Sequence, residues 1–242
     1  MISLAGFSFA FHSNFLAGQK KNARIANAYA EKEAILSSRL KGLNLTLDNI
    51  NILIIAYKNE KELDLFVKGK TESVYKRLTT YHICQTSGQL GPKRSRNDLQ
   101  IPEGFYIINK FNPNSTYYLS LGFSYPNAAD RFHSKGKNPG GDIYIHGECL
   151  TIGCLPMTND KIKEIYIYAI QAREHGQHNI PVYIFPFRFT ENNVTKIKEQ
   201  YKPDIALLDF WDNLKIGYDK FNRDFKELNV MVDKKNGNYI IQ

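Results

Sequence analysis

Two side chains suited to nucleophilic catalysis lie eight residues apart in the segment 142–158, which reads DIYIHGECLTIGCLPMT. A cysteine thiolate is a strong nucleophile, and a histidine can act as the general base that generates it. His146 ends a predicted strand, and Cys154 follows Gly153 just before a predicted helix. A glycine there lets the backbone approach a substrate carbonyl, so we expect the N–H groups of Gly153 and Cys154 to form an oxyanion hole. The segment suits acyl transfer by Cys154 and His146, with the Gly147 carbonyl as the nearest group able to orient the imidazole, although on spacing alone a lone histidine near a lone cysteine is more often structural.

Three other interpretations start from the same spacing. His146, Cys149 and Cys154 could hold zinc, although neither a fourth ligand nor a C-x-x-C pair accompanies them. The H-G-E that begins at His146 matches the H-x-E of zinc deaminases, but the later P-C-x-x-C that those enzymes need is absent. A disulfide between Cys149 and Cys154 would remove the nucleophile. Because three cysteines cannot all pair, at least one thiol is free, and we expect Cys149, beside the apolar Leu150, to be a free structural thiol.

Short strands must position this segment. Runs rich in Ile, Val, Tyr, Phe and Thr, separated by turn residues, predict a mainly β domain with strands at 52–57, 62–68, 75–83, 105–111, 117–123, 142–146 and 181–187. Two long polar loops, 86–104 and 124–141, lie between the strands. Ordered loops of this length in a compact domain are usually functional. Since both flank strands that lead to Cys154, we expect them to form the walls of a cleft.

Helices are predicted around the strands at 19–42, 158–175, 192–201 and 205–225, from composition and apolar spacing. The last of these helices carries a mostly aromatic stripe at three- and four-residue spacing: Phe210, Trp211, Leu214, Tyr218 and Phe221. A stripe of this kind more often packs in a core than binds a ligand. We therefore divide the chain into a candidate signal-peptide remnant at 1–18, an N-terminal helical segment at 19–48, a catalytic domain at 49–189 and a C-terminal helical extension at 190–242.

Composition limits the classes of partner. The chain has 242 residues, of which 43% are hydrophobic and 23% charged, an ordinary globular balance. Its net charge of +8 suits a polyanion. Without an RNP-like motif, a zinc finger or a dense Arg/Lys run, however, we expect no nucleic acid partner. The apolar stretch Ile2–Phe11 is too short to span a bilayer, so we also expect no stable membrane span.

The stretch IHGECLTIGCLPMT resembles the signature of the L,D-transpeptidase (YkuD-like) family, in which a strand-end histidine precedes S/T-x-G-C. It is most similar to the YafK-like branch of murein L,D-transpeptidases and hydrolases, which reads close to HG-x-C-x-S-x-GC-x-x-MT before a helix containing EIY. The matching residues are Ile145-His146-Gly147, Cys149, Thr151, Gly153-Cys154, Met157-Thr158 and Glu164-Ile165-Tyr166. Further matches at 101–104, 124–130, 210–214 and 217–218 extend the resemblance over about residues 20 to 225.

This resemblance implies a fold and a reaction. The fold would be α+β, with a predominantly β catalytic domain (a β-sandwich) and flanking N- and C-terminal helices. The protein would be exported to the bacterial periplasm and would use no metal or organic cofactor. Cys154 would attack a diaminopimelate carbonyl in a peptidoglycan stem peptide and form a thioester. An amine acceptor would then give cross-linking or protein attachment, whereas water would give hydrolysis, as when part of the YafK-like branch releases wall-bound protein. The alternative is a non-catalytic peptidoglycan-binding module with the same fold.

Two departures from the family pattern concern substrate binding. The wider family reads S-H-G-C-x-R, whereas here Ile152 replaces the second histidine and Leu155-Pro156 stand where the arginine is expected. The basic residues of the long loops could replace that arginine: Lys93, Arg94, Arg96 and Arg131. We expect four residues to contact the substrate: Tyr125, Asn127, Asp130 and Thr151. Tyr-Pro-Asn followed by Asp130 would equally suit a rigid, capped turn.

Overall fold

The described chain begins with two helices. The computed structural model describes residues 14–242, so the candidate signal-peptide remnant falls largely outside the described residues. Helix α1 spans Phe15–Lys20, and α2 spans Ala23–Lys41. The Asn22 side chain caps α2 by accepting a hydrogen bond from a backbone N–H of its first turn. Buried side chains recur along α2 at helical spacing, at Ile25, Ala28, Leu36 and Leu40. One face of α2 therefore packs into the core.

Eight strands form one mixed sheet. They are β1 (Ile50–Tyr57), β2 (Glu62–Gly69), β3 (Lys76–His82), β4 (Gly104–Asn112), β5 (Ser120–Phe123), β6 (Tyr144–His146), β7 (Leu155–Pro156) and β8 (Ile180–Phe185). Their order across the sheet is β3-β2-β1-β8-β4-β5-β6-β7. The pairs β1–β8 and β6–β7 are parallel, and the others are antiparallel. The strands expected to form a β-sandwich all lie in this single large sheet.

The remaining helices lie along and after the sheet. They are α3 (Ala128–His133), α4 (Asn159–Glu174), α5 (Glu191–Gln200) and α6 (Ile205–Asp224), and a small hairpin of β9 (Val230–Val232) and β10 (Tyr239–Ile241) follows. The predicted α+β class, with helices before and after the strands, is confirmed. The predicted strands recur within a few residues, whereas α3 forms inside a segment expected to be loop.

Side chains of β1 alternate between two cores. Ile52 and Ile54 belong to a cluster with α2 and α4, while Leu53 and Ile55 belong to a second cluster with α6. Because helices cover both faces of the sheet, the sequence of β1 is a continuous apolar run and does not alternate between apolar and polar residues. Most of the aromatic stripe on α6 is buried in the second cluster, as predicted for core packing: Phe210, Trp211, Leu214 and Phe221.

A buried ion pair fixes the first long loop against the sheet. Lys58 Nζ lies 2.8 Å from Glu103 Oε1 and also donates to the carbonyls of Gly91 and Ile101, at 2.6 and 3.0 Å. Trp211 Nε1 donates to the other Glu103 oxygen at 2.8 Å. Burial lowers the pKa of Lys58, and the Glu103 carboxylate acts against that shift. Since each polar atom of this cluster has a partner, the loop forms a fixed wall.

Candidate active site

The β7 edge of the sheet brings His146 and Cys154 together. β6 ends at His146 and pairs in parallel with β7, so that Ile145 lies opposite Leu155. Cys154 directly precedes β7 and therefore lies beside Tyr144, two residues before His146 on the neighbouring strand. Residues two apart in a strand project to the same face. Accordingly, Cys154 and His146 line one cavity of about 300 Å³.

The imidazole of His146 is held in one orientation. It is 1% exposed, and its Nδ1 lies 2.6 Å from the Gly147 carbonyl oxygen. Because a carbonyl can only accept, Nδ1 carries the proton and Nε2 keeps a lone pair. The ring of Tyr117 lies against the imidazole, with centroids 4.6 Å apart. This is the tautomer that a general base acting through Nε2 requires.

Gly147 occupies a position that admits no side chain. Its N–H donates to the Leu119 carbonyl at 3.0 Å. A Cβ atom there would lie 2.5 Å from Asn159 Oδ1 and 2.9 Å from the Tyr117 carbonyl oxygen. The carbonyl that orients His146 is therefore fixed by tight packing on both sides.

Thr151 holds the turn that presents Cys154. Its hydroxyl accepts from the N–H groups of Cys154 and Gly153, at 2.8 and 3.2 Å, and donates to the Cys154 carbonyl at 2.9 Å. Gly153 has φ +137°, which favours glycine. The two N–H groups expected to form the oxyanion hole are thus already bonded to Thr151, and an oxyanion could use them only after displacing its hydroxyl. Thr151 also lines the 300 Å³ cavity, so its predicted substrate contact stays a prediction.

Cys149 is not a free thiol, contrary to the prediction. It forms a disulfide with Cys84, which leaves Cys154 as the free cysteine of the three. A disulfide sulfur is not a thiolate ligand, which removes Cys149 from the zinc interpretation. The disulfide ties the loop between His146 and Cys154 to the segment after β3.

Burial keeps both reacting groups neutral. Burial raises the pKa of the Cys154 thiol above its ordinary value and outweighs the opposing effects of the Tyr144 backbone and the Lys93 charge. Burial also lowers the pKa of His146, although the Gly147 carbonyl and Glu148 act in the opposite direction. No hydrogen bond joins the thiol to the imidazole among the bonds of residues 14–242. The resting pair is therefore a thiol and a neutral imidazole rather than an ion pair.

This neutral pair predicts how Cys154 alkylation depends on pH. The rate of carboxamidomethylation by iodoacetamide should rise with a midpoint above the ordinary cysteine value of about 8.5, because only the thiolate reacts. His146→Ala should leave that midpoint nearly unchanged, since the imidazole is already neutral. The measurement is peptide mass spectrometry over a pH series, with Cys154→Ala as the unlabelled control. A reactive plateau below pH 7 that disappears in His146→Ala would show an ion pair instead.

A second cavity opens on the other side of Cys154. Its volume is about 480 Å³, and residues of both long loops line it, including Arg96 and Asn138. Asp142 and Ile152 line both cavities together with Cys154. Cys154 therefore lines two cavities, and these share part of their walls. The expectation that the loops wall a cleft at Cys154 agrees with this arrangement.

Asn127 and Asp130, two of the expected substrate contacts, cap α3 and line neither cavity at Cys154. They form the capping box of α3, in which each side chain accepts from the other's backbone N–H. Asp130 is fully buried, and its carboxylate also accepts from Arg94 Nη1 and the Tyr106 hydroxyl, both at 3.0 Å. Asn127 donates to the Phe105 carbonyl and the Tyr239 hydroxyl. Every polar atom of the buried Asp130 and the half-buried Asn127 is engaged inside the protein, which favours the rigid, capped turn over a substrate contact.

Tyr125 is also turned inward. It is 6% exposed, and its hydroxyl donates to the Pro139 carbonyl at 3.0 Å and lies 3.4 Å from the Lys93 carbonyl. It therefore joins the two long loops rather than lining either cavity at Cys154. Its ring does line a separate small cavity with Tyr144.

Asp130→Asn should lower stability and spare catalysis. Burial raises the pKa of Asp130 to about 6, so the carboxyl is an anion at pH 7.5 and three donors point at it. An amide at this position loses one acceptor, which should lower the free energy of unfolding by about 2 kcal/mol. Urea melts and kcat/KM per folded molecule separate the effects. Unchanged stability with a tenfold lower kcat/KM would instead show that Asp130 contacts the substrate.

The basic residues of the long loops have different surroundings. Lys93 pairs with Asp98 at 2.6 Å, and Arg94 pairs with Asp130 and lies over the Phe210 ring. Arg131 lies on α3 and lines neither cavity at Cys154. Arg96 is exposed and lines the 480 Å³ cavity. Of the four candidates to replace the missing arginine, only Arg96 is both unpaired in the described chain and adjacent to the site.

Sequence reasoning missed four residues around the site: Tyr117, Ser120, Asp142 and Tyr144. Ser120 lies opposite His146 across the β5–β6 pair and lines the 300 Å³ cavity with Tyr117. Asp142 accepts a hydrogen bond from the Tyr144 hydroxyl at 3.0 Å. Asp142 precedes the strand that carries His146 and Tyr144 begins it, so alternation along that strand was the available signal for Tyr144. Nothing local in the sequence marks Tyr117.

The profile of YkuD, described as the L,D-transpeptidase catalytic domain, matches residues 51–184. This range includes β2 to β7 and most of β1 and β8, together with His146 and Cys154. The chain belongs to the YkuD family. This YkuD chain is 40% identical over 194 residues to the Escherichia coli (strain K12) protein named "Putative L,D-transpeptidase YafK", over 78% of this chain and 73% of that protein. The protein of the same name from Escherichia coli O157:H7 gives the same identity and coverage.

One solved structure resembles the YkuD chain more distantly. It is the crystal structure of the helical cell shape determining protein Pgp2 from Campylobacter jejuni, with a TM-score of 0.45 and 19% identity over 76% of this chain and 74% of that one. The YkuD assignment therefore rests on sequence. Between residues 14 and 242 of the YkuD chain, no helix has the length and apolar character needed to cross a bilayer.

Proposed function

We propose that this protein is a cysteine acyl-transfer enzyme that acts on diaminopimelate-containing peptidoglycan stem peptides through a thioester at Cys154. The observation that carries the proposal is the arrangement around the free thiol. Cys154 lies between two cavities, and His146 lines one of them with its Nδ1 proton held by the Gly147 carbonyl. Membership of the YkuD family and the name of the YafK relative support the substrate class.

In the first half-reaction, Cys154 Sγ bonds to the carbonyl carbon of diaminopimelate while the thiol proton moves to His146 Nε2. Collapse of the tetrahedral intermediate breaks the C–N bond. His146 then gives its proton to the leaving amine, which leaves a thioester on Cys154. Throughout, the Gly147 carbonyl keeps Nδ1 protonated and also favours the transient imidazolium.

The second half-reaction depends on the acceptor. An amine or water attacks the thioester and gives its proton to His146, and the sulfur leaves as the thiol once reprotonated. An amine acceptor would cross-link stem peptides or attach a protein to the wall, whereas water would hydrolyse the bond and release a wall-anchored protein. The rim of the 300 Å³ cavity carries the side chains of Leu150 and Ile152, which are 66% and 74% exposed. An open rim of this kind would admit a large acceptor or leaving group.

Export to the periplasm is supported by the Cys84–Cys149 disulfide. Disulfides form and persist in oxidising compartments and are rare in the reducing cytosol. The disulfide joins two cysteines that lie 65 residues apart in the sequence. A protein that acts on cell-wall peptide needs to reach that compartment.

Incubation with purified sacculi tests the proposal. After digestion with a muramidase, mass spectrometry should show muropeptides altered at the diaminopimelate carbonyl, and Cys154→Ala should leave them unchanged. New cross-links would identify transfer, and loss of bound peptide or protein would identify hydrolysis. Binding to sacculi with no altered muropeptide would contradict the enzyme and support the non-catalytic wall-binding module.

A further inference from the structure

Beyond the nucleophile, we propose that the 480 Å³ cavity beside Cys154 binds the free end of the diaminopimelate side chain, with Arg96 taking its carboxylate and Asp142 its ammonium group. This inference rests on the proposed function. It identifies the part of the substrate that would bind in the 480 Å³ cavity.

The cavity lies where the two long loops meet. The Arg96 N–H donates to the Asn138 carbonyl at 2.8 Å. The backbone of Arg96 also approaches Gly140, where a Cβ atom would lie 3.4 Å from the Arg96 Cα. Gly140 has φ +82°, so a glycine suits this crossing for both its conformation and its size. Arg96 and Cys154 line the cavity that forms beside the crossing.

Arg96 is the cation in this cavity that has no internal partner among the described residues. Lys93 also lines the cavity, but its Nζ donates to Asp98 Oδ1 at 2.6 Å and to the Ser95 carbonyl at 2.8 Å. The guanidinium of Arg96 is exposed and forms no ion pair within residues 14–242. A guanidinium can bind a carboxylate through two parallel hydrogen bonds, which makes Arg96 the candidate carboxylate receptor.

The segment that carries Arg96 is held rigidly. The Asp98 carboxylate accepts from three backbone N–H groups, those of Arg94, Ser95 and Gln100, at 2.9 to 3.1 Å. These bonds and the Lys93 pair lower the pKa of Asp98 although burial opposes them. A fixed loop reduces the entropy lost when Arg96 binds a substrate.

Asp142 supplies the opposite charge at the same cavity. It is exposed and lines both cavities at Cys154. One of its oxygens accepts from the Tyr144 hydroxyl at 3.0 Å, which orients the carboxylate and leaves the other oxygen available. Asp142 and Cys154 line both cavities together, so the carboxylate lies close to the proposed thioester.

The two charges match the end of one amino acid. The side chain of diaminopimelate ends in a carbon that bears both an ammonium and a carboxylate, whereas lysine at the same position ends in an ammonium alone. Asp142 would bind the group that both residues share, and Arg96 would bind the group that only diaminopimelate has. Arg96 would therefore select diaminopimelate over lysine.

Paired substrates test this assignment in the full chain. Synthetic stem tetrapeptides with either diaminopimelate or lysine at the third position are compared by kcat/KM. Arg96→Gln should lower kcat/KM for the diaminopimelate peptide by about tenfold or more, the value of one charge-assisted contact, and should leave the lysine peptide within about twofold. Asp142→Asn should lower both by a similar factor. Lys137→Gln removes one positive charge from the same pair of loops outside the cavity and should change neither.

Each outcome decides a different claim. An equal loss on both peptides in Arg96→Gln, or no loss on either, would overturn the role of Arg96. An Asp142→Asn variant that retains full activity on both would overturn the role of Asp142. Melting temperatures of the variants should match the wild type, which separates binding from folding. A wild-type protein that turns over neither peptide would contradict the proposed function, and the inference would fall with it.

Discussion

Cys154→Ala should abolish turnover and leave the fold intact. In the proposed mechanism the sulfur bonds to the acyl group, so its loss should lower kcat by at least about 10³-fold, as removal of a covalent nucleophile generally does. Cys154 is partly exposed and lines two cavities, so the loss of one sulfur atom should change stability by less than about 1 kcal/mol. The measurement is turnover of a stem tetrapeptide, with thermal melting in parallel.

Cys154→Ser is the matched variant, because it keeps the shape and a hydrogen-bonding group. A hydroxyl is a far weaker nucleophile than a thiol beside the same histidine, so we expect nearly the same loss. Residual activity above a tenth of the wild type in either variant would exclude Cys154 as the nucleophile.

His146→Ala should lower kcat/KM by at least about 10²-fold, the usual contribution of a positioned general base. In the proposed mechanism Nε2 takes the thiol proton while the Gly147 carbonyl holds Nδ1–H. Added imidazole should restore part of the activity, which a purely structural role would not allow. His178 is exposed and outside the site, and His178→Ala should change nothing.

The fall of kcat/KM at low pH, its acid limb, should also follow the protonation of His146. Neutral imidazole is the active form, so activity falls as the pH drops through its pKa. Burial lowers that pKa, which moves the limb below the ordinary histidine value of about 6.5. Glu148 raises the pKa of His146, so Glu148→Gln should move the limb further down. A limb above pH 6.5 would contradict the neutral base.

Periodicity and composition predicted the elements but not all of the site. Alternating and helical apolar spacing identified the strands around β1 and the α6 stripe, because burial on a face repeats with the period of the element. The pair of Cys154 and His146 followed from residue type and the Gly-Cys turn. The two-residue strand β7 was missed, since a run that short carries no period, yet its pairing with β6 sets Cys154 beside Tyr144, on the same face of the sheet as His146.

The prediction that Cys149 is a free thiol was wrong because it depended on a contact between distant segments. Pairing of Cys84 with Cys149 requires knowing that the segment after β3 reaches the loop after β6, which spacing cannot tell. Asn127 and Asp130 carry the Asn-x-x-Asp pattern of a helix cap, so a local signal for α3 existed, but the burial of Asp130 by Arg94 and Tyr106 came from another loop and strand. The bonds between Thr151 and both predicted oxyanion donors are local, since Thr151 lies two and three residues before them, but residue type alone did not indicate them.

Intact-protein and peptide mass spectrometry of the acyl-enzyme is the most direct test of the central claim. The wild-type protein is mixed briefly with a diaminopimelate stem tetrapeptide, quenched in acid and digested. The account predicts a mass increase equal to the tripeptide acyl group, located on Cys154 and absent in Cys154→Ala. Turnover with no adduct on Cys154, or an adduct on any other residue, would contradict the thioester mechanism.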